Sequence, residues 1–208
     1  MSGNYVINIG RQLGSGGKEI GEKLAARLGI DFYDKELINL ASEESGLCKE
    51  FFEKADEKAS QGIIGGLFGM RFPFISEGAM PCNNCLSNDA LFKVQSDVIR
   101  HLAAEKSCVF VGRCADYILE DIPNHLNVYV YAPDEAKLKN CVENLQMDLQ
   151  TAKKMMRDVD AARNRYHKAY IPGWQSVFDH KDLMIDSSRF GIDGTAKILA
   201  DIVKNQWG

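Results

Sequence analysis

The chain has 208 residues, of which 45% are hydrophobic and 26% are charged, a balance typical of an ordinary globular protein and not of a disordered or fibrous one. The 29 acidic residues outnumber the 25 basic ones, and the net charge of −4 argues against a global attraction to nucleic acid or to anionic lipid. The length predicts one domain, residues 1–208.

Five short stretches with the composition of β-strands alternate with helical patterns along the chain. This alternation predicts an α/β fold with a mostly parallel sheet. Two of the stretches, residues 108–112 and 126–132, are nearly continuous in Val, Phe, Tyr and Leu, which is typical of strands covered on both faces. The five predicted strands are residues 5–9, 31–34, 108–112, 126–132 and 183–186.

Apolar residues at helical spacing predict helices around residues 20–28, 91–102, 138–145, 152–169 and 198–203. The longest pattern runs from Ala152 to Ala169 in steps of three and four, and predicts a helix of about twenty residues. Basic residues share one side of this helix, away from its apolar stripe: Lys154, Arg157, Arg165 and Lys168. A row of basic residues is typical of a lid helix that closes on phosphates. The alternative is a solvent-exposed face on which these residues form intrahelical ion pairs.

Residues 61–86 do not fit a compact sheet, because they hold five glycines, two prolines and a run of apolar residues without a clear period. We interpret this stretch as part of an insert over the site, with an irregular packed loop as an equally weighted alternative. Cys82 and Cys85 lie within it, but no second pair of Cys or His ligands accompanies them. These cysteines are therefore expected to be structural or incidental, and the sequence predicts no metal-ligating residues.

The most informative segment is a glycine-rich stretch that follows the first predicted strand and precedes a helix. Glycines let the backbone approach an anion closely, and the free N–H groups at a helix start point towards it. Lys18, with Arg11 nearby, adds positive charge. Two alignments to the phosphate-binding pattern G-x-x-x-x-G-K-[ST] stay open. One puts Gln12 at the first glycine and Glu19 at the hydroxyl; the other puts Gly17 where the lysine belongs. A plain structural loop is a further alternative.

Three motifs in this order resemble the cytidylate kinase-like family. They are Gly14-Ser15-Gly16-Gly17-Lys18-Glu19-Ile20-Gly21, Phe32-Tyr33-Asp34-Lys35-Glu36-Leu37 and residues 109–119, which contain Gly112-Arg113. The resemblance implies a P-loop NTPase three-layer sandwich with a five-stranded mostly parallel sheet and a helical lid and insert. It also implies ATP with Mg²⁺ and a nucleoside monophosphate acceptor, most simply CMP or dCMP. The insert that binds the acceptor is expected at residues 35–90, and the lid at residues 147–173.

The resemblance also assigns roles to residues. Asp34 and Arg113 resemble acceptor-binding residues beside the strand ends, and Asp160 with Arg163 resemble the Asp-Ser-x-Arg of the cytidylate kinase lid, with Ala161 in place of the serine. The ATP phosphates are expected at Gly14, Ser15, Gly16, Gly17, Lys18 and Glu19. The expected catalytic side chains are Lys18, Arg113, Arg157, Arg163 and Arg165.

Phosphoryl transfer requires two substrates in line, neutralised charge and excluded water, and these residues supply parts for each task. Three rival readings stay open: a kinase of the same fold that acts on another small acceptor, a nucleotide-binding regulatory module with weak catalysis, and a plain interaction domain that uses the apolar residues 63–74 as a contact surface. The expected partners are nucleotides, with neither a nucleic acid polymer nor a membrane, and a homodimer is one option for the oligomeric state. No signal-like start and no apolar run of about 18 residues occur, so a cytoplasmic location is expected.

Overall fold

The structure is a computed structural model that describes residues 3–44 and 88–208. The chain divides into two compact units, one of Met1–Glu36 with Ile99–Gly208 and the other of Leu37–Val98. The predicted loop at residues 61–86, with Cys82 and Cys85, lies outside the described residues. Among the residues that are described, no helix combines the length and the apolar character that crossing a membrane requires.

Five parallel strands form one sheet in the order β2-β3-β1-β4-β5. They are β1 (Val6–Arg11), β2 (Asp31–Tyr33), β3 (Cys108–Val111), β4 (His125–Tyr131) and β5 (Leu183–Asp186). All five strands predicted from composition are present, and no end differs from its predicted position by more than two residues. The α/β fold with a parallel sheet is therefore confirmed.

Helices connect the strands, as parallel neighbours require. They are α1 (Gly17–Leu28), α2 (Lys35–Glu44), α3 (Asn88–Glu105), α4 (Ala115–Ile118), α5 (Asp134–Glu143), α6 (Leu149–Tyr170) and α7 (Ser187–Trp207). Helix α6 contains the long pattern of residues 152–169 and begins after Asp148, whose side chain accepts hydrogen bonds from the N–H groups of Gln150 and Thr151. Helix α7 is interrupted at Gly191, which has φ 66° and ψ 177°.

The core of the larger unit lies against the three central strands. The residues of β3 are all buried, as are the first four of β1, because helices cover the sheet. Ile20 and Leu24 of α1 and Leu199 and Val203 of α7 pack into this core. Helix α1 thus buries the apolar face that its spacing predicts.

In the smaller unit, the described residues belong to parts of α2 and α3. Ile38, Val94 and Val98 are buried there. Gln95 is also buried, and its Nε2 donates a hydrogen bond to Asn39 Oδ1 at 2.8 Å. A buried amide bonded to a second helix fixes the packing of the two segments.

Because all five strands are parallel, their carboxyl ends meet at one edge of the sheet. The turn after β1, Gly112 after β3 and Asp186 at the end of β5 therefore lie at the same edge. This is the edge at which open α/β sheets bind ligands. The site is built there.

Candidate active site

The turn between β1 and α1 consists of residues 12–16 and depends on two left-handed glycines. Gly14 has φ 82° and Gly16 has φ 74°, and Gly16 is the residue from which α1 begins. At Gly14 a Cβ atom would lie 2.6 Å from the backbone oxygen of Lys137, so no larger residue fits without movement. The sequence therefore needs glycine at these positions to form this turn.

The carbonyl oxygens of the turn are held by hydroxyl and amide donors. Gln12 O accepts from Ser15 Oγ at 2.9 Å, and Gly14 O accepts from Asn140 Nδ2 at 2.9 Å. Ser15 O accepts from Ser187 Oγ at 2.7 Å. These bonds fix the turn and keep its electronegative atoms engaged.

Several backbone N–H groups of this turn and of the start of α1, unlike these carbonyl oxygens, lack hydrogen-bond partners among the described residues. Within the part of the chain that the structure describes, no acceptor bonds to the backbone N–H of Gly14, Gly16, Gly17, Lys18 or Glu19. Successive unpaired N–H groups at the start of a helix form an anion-binding site, because they add their dipoles to the positive end of the helix. The turn is thus arranged to receive a negatively charged group.

Asp160 of α6 contacts the beginning of this turn. Its Oδ1 accepts a hydrogen bond from the N–H of Leu13 at 2.9 Å and one from Arg163 Nη1 at 3.1 Å. Arg163 Nη1 also donates to the backbone oxygen of Arg11 at 3.0 Å. Burial raises the pKa of Asp160, and the bonds from Leu13 and Arg163 oppose that rise. Two residues that the resemblance assigns to the lid are therefore bonded to this region, Asp160 to the glycine-rich turn and Arg163 to the last residue of β1 before it.

Lys18 is directed to Asp34, at the end of the second strand. Its Nζ lies 2.5 Å from Asp34 Oδ2, and Glu36 is the next carboxylate at 3.8 Å. The hydrogen bond to Asp34 raises the pKa of Lys18. Asp34 itself is buried. The ammonium group of Lys18 is thus engaged by a carboxylate in this structure.

Arg11, the last residue of β1, lies behind the turn. Its aliphatic part packs against Gly17, where a Cβ would come within 2.5 Å of Arg11 Cβ, and its guanidinium lies against Gly112. Burial lowers the pKa of Arg11 to about 9, an effect that the nearby charge of Arg163 increases and that Glu36 and Asp34 partly offset. The guanidinium remains protonated at neutral pH.

Arg113 follows Gly112 in an unusual backbone conformation, with φ 58°. Its guanidinium carbon lies 5.5 Å from the centre of the Tyr166 ring of α6, a cation–π contact. Gly112 and Cys114 have left-handed φ values as well, so the chain turns sharply after β3. This turn brings Arg113 to α6.

A small cavity lies between the sheet edge and α6. Its walls come from β1, from the position after β3, from β4, from α6 and from the segment that follows α6. The lining residues are Gly10, Arg11, Gly112, Tyr129, Asp160, Arg163, Asn164, His167, Trp174, Val177 and Lys181. Lys181 is buried in an ion pair with Asp116. Nδ1 of His167 lies 2.8 Å from the carbonyl oxygen of Arg163 and therefore donates to it, and burial lowers the pKa of His167. The cavity adjoins the turn through Arg11 and Asp160.

The structure brings together some of the side chains singled out from the sequence and not others. Asp160 and Arg163 line the cavity, and Arg113 stacks on Tyr166 next to it. Lys18 pairs with Asp34, and the Ser15 hydroxyl bonds to the turn itself. Arg157 and Arg165 are exposed on α6 and do not line the cavity. Glu19 is half-buried in the first turn of α1.

Several side chains of the cavity were not picked out from the sequence, among them Tyr129, His167, Trp174 and Lys181. His167 follows Arg163 by four residues, which places both on one side of α6, so helical spacing could have found it. Trp174 and Lys181 belong to the irregular segment between α6 and β5, where no period indicates a direction. Tyr129 lies within a strand whose apolar composition predicts that its residues are buried, and gives no sign that one of them lines a site.

Among the residues that the structure describes near the turn, none is arranged to bind magnesium. Neither alignment of the glycine-rich stretch places a hydroxyl where magnesium would be bound, since Lys18 or Glu19 stands there. Asp34 and Asp160 are engaged by Lys18 and by Leu13 with Arg163. In the described ranges, no group of three His, Cys, Asp or Glu side chains is placed to hold a metal ion.

Comparisons with known proteins agree with this architecture. A model of the cytidylate kinase-like family matches residues 6–189. A crystal structure of an uncharacterized protein from Eubacterium ventriosum ATCC 27560 is similar with a TM-score of 0.70 and 24% identity, over 97% of this chain and 99% of that one, which shows a shared fold. No match was found among the curated proteins.

Shikimate kinase from Acinetobacter baumannii in complex with shikimate gives a TM-score of 0.49 at 16% identity over 99% of this chain and 96% of that one. A gluconokinase from Sinorhizobium meliloti 1021 gives 0.48 at 12% identity, with all of both chains covered.

Proposed function

This chain belongs to the cytidylate kinase-like family and has its P-loop fold, and we propose that it transfers a phosphoryl group from ATP to a nucleoside monophosphate, most simply CMP or dCMP. The observation that carries the proposal is the turn after β1, whose carbonyl oxygens are held while five N–H groups stay unpaired among the described residues. The first N–H groups of any helix lack intrahelical partners, but here no side chain caps them and the N–H of Gly14 adds to them, so the array suits the phosphates of a nucleotide.

In the proposed reaction, the unpaired N–H groups of the turn bind the donor phosphates. The acceptor phosphate binds in the adjacent cavity, near Arg163 and Arg113. The bond between the γ-phosphorus and its bridging oxygen breaks, a new bond to an oxygen of the acceptor phosphate forms, and ADP and a nucleoside diphosphate leave. The protein's task is to align the two phosphates and to neutralise their charge.

Arg163 is well placed to neutralise the charge of the phosphates. Its guanidinium is held by Asp160 and by the backbone oxygen of Arg11, so it is oriented before any substrate arrives. Burial lowers the pKa of Arg163, and a desolvated cation attracts phosphate more strongly than an exposed one. Asp34 and Asp160 are proposed to position the acceptor, as the family resemblance implies. Magnesium is proposed to be held by the ATP phosphates, and no step uses a protein-bound ion.

The choice of cytidine nucleotides rests on the family and requires a direct test. ADP formation from ATP is measured with CMP, dCMP, UMP and AMP at equal concentrations. We expect turnover that depends on the acceptor and is fastest with CMP or dCMP. If ATP binds tightly but none of the four nucleotides is phosphorylated, the result would favour either another small acceptor or a nucleotide-binding regulatory module.

A further inference from the structure

Arg11 is a charged side chain that the fold places at the site without a counter-ion. Among the described residues, its guanidinium makes no hydrogen bond, and no carboxylate lies within ion-pair distance of it; Arg163 bonds to the backbone oxygen of Arg11 and not to its side chain. The nearest acids that act on it electrostatically are Glu36 and Asp34, and Asp34 is engaged by Lys18. Arg11 is half-buried, and a partly desolvated cation without a partner costs stability, so its presence calls for a ligand.

Two glycines make room for this side chain. A Cβ on Gly112 would collide with the Arg11 guanidinium, and a Cβ on Gly17 would come within 2.5 Å of Arg11 Cβ. Gly112 has φ 84°, so its conformation also favours glycine. The positions after β3 and at the start of α1 therefore lack side chains where Arg11 passes. The space that it occupies is formed by the main chains of both segments.

The guanidinium lines the cavity beside the glycine-rich turn, together with Arg163. Arg163 and Arg113 are the other cations near it, and both lower its pKa through repulsion. Arg163 is itself paired with Asp160, whereas no carboxylate among the described residues lies within ion-pair distance of Arg11. An anion with more than one negative charge would relieve this repulsion.

The turn itself lacks the lysine that phosphate-binding loops normally supply. In one alignment Gly17 stands at that place, and in the other Lys18 does, but its ammonium group is bonded to Asp34. Neither alignment therefore leaves a lysine directed at the phosphates. The site nevertheless needs a cation close to the transferred group.

We propose that Arg11 is the phosphate-binding cation of this site and takes the part that the loop lysine has in other P-loop proteins. The inference rests on the proposed function, since it takes a nucleotide phosphate as the anion. A planar guanidinium fits two phosphate oxygens at once, and a strand end holds it more firmly than a loop would. In this arrangement Lys18 serves to hold Asp34.

The test compares three variants, Arg11→Met, Arg11→Lys and Arg27→Met. Arg27 is the matched control, because it is an exposed arginine at the far end of α1, 3.9 Å from Asp193. Binding of ATP and of inorganic pyrophosphate is measured by calorimetry, and Tm is measured without ligand. Neither readout depends on turnover.

We expect Arg11→Met to weaken ATP and pyrophosphate binding at least tenfold, and Arg11→Lys to recover part of that loss. The ligand-free Tm of Arg11→Met should rise by about 2–4 °C, because an uncompensated charge is removed. Arg27→Met should change neither affinity by more than twofold. A purely structural Arg11 predicts the opposite, a fall in Tm.

Unchanged ATP affinity in Arg11→Met would overturn the inference and leave the proposed function standing. Joint loss of affinity and Tm in both Arg11 variants would also overturn it. If the unaltered protein binds neither ATP nor pyrophosphate at millimolar concentration, the proposed function fails, and the inference fails with it.

Discussion

The carboxylate of Asp160 accepts a hydrogen bond from the backbone N–H of Leu13 at 2.9 Å, although the two residues are 147 positions apart in the chain. This contact ties the long helix α6 to the start of the glycine-rich turn. It also places a negative charge beside the unpaired N–H groups of that turn. The same carboxylate holds Arg163, so one residue controls both the position of a cation and the approach to the anion site.

Replacement of Asp160 separates its hydrogen bonds from its charge. Burial raises the pKa of Asp160, so the cost of desolvating its charge offsets part of what its bonds contribute, and Asp160→Asn, which keeps an acceptor oxygen, should change the free energy of unfolding by less than about 1 kcal/mol. Asp160→Ala removes the acceptor and should cost about 1–3 kcal/mol. Urea denaturation of both variants measures the difference. Equal losses in the two variants would contradict this account of Asp160.

Arg163 should matter far more for turnover than for folding. Its guanidinium is desolvated and held near the proposed phosphates, so Arg163→Ala should lower kcat by about 10²-fold or more, as the loss of one charge-stabilising donor does in other enzymes. Lys153→Ala is the control, because Lys153 is an exposed residue of the same helix. Steady-state kinetics and urea denaturation are compared for both. A loss of stability in Arg163→Ala that accounts for its whole loss of activity would argue against a role in transfer.

The turn requires glycine at position 14 because of its positive φ and because of a steric clash. Gly29, which has a positive φ without a clash, allows the two effects to be measured separately. Gly14→Ala must adopt φ near 82° and also collides with the backbone oxygen of Lys137 at 2.6 Å. Gly29 has φ 66° but open space around it, so Gly29→Ala carries only the conformational cost of about 1–2 kcal/mol. Gly14→Ala should therefore cost more than Gly29→Ala in denaturant titrations and should weaken ATP binding. Similar costs and unchanged binding would show that the shape of the turn is unimportant.

His167 gives the fold a dependence on pH. Burial lowers its pKa from the ordinary value of 6.5, so the unfolded chain takes up the proton first and the free energy of unfolding falls as the pH drops below about 6.5. The groups that act on it are Asp116, Lys181 and Arg11. His167→Asn should have a shallower decline between about pH 7.5 and about pH 5.5 than the unaltered protein. Parallel declines, measured by urea denaturation, would remove His167 as the cause.

Much of the fold was predictable because its signals are local. The continuous apolar runs of β3 and β4 and the steps of three and four along α6 depend only on neighbouring residues, and each predicted element is present. Helices α2 and α4 were not predicted from apolar spacing. Helix α4 is only four residues long and begins from Cys114 at φ 55°, a conformation that residue types do not predict.

The site was predictable in location but not in its pairings. The order of strand, glycine-rich turn and helix places an anion site after β1, and the structure has such a turn there. The sequence alone could not reveal that Lys18 pairs with Asp34, because that contact depends on how α1 and the end of β2 are placed in space. Arg157 and Arg165 share a helix with Arg163, yet only the packing of α6 decides that Arg163 faces the cavity and the other two face solvent.

The central claim is that the turn after β1 binds a nucleotide triphosphate through its backbone N–H groups, and amide chemical shifts test it most directly. In a nitrogen-15 NMR titration with ATP, we expect the amides of Gly14, Gly16, Gly17, Lys18 and Glu19 to move first and furthest, while those of Gly29 and Gly173 stay in place. If millimolar ATP leaves the five amides of the turn unmoved, the claim is contradicted.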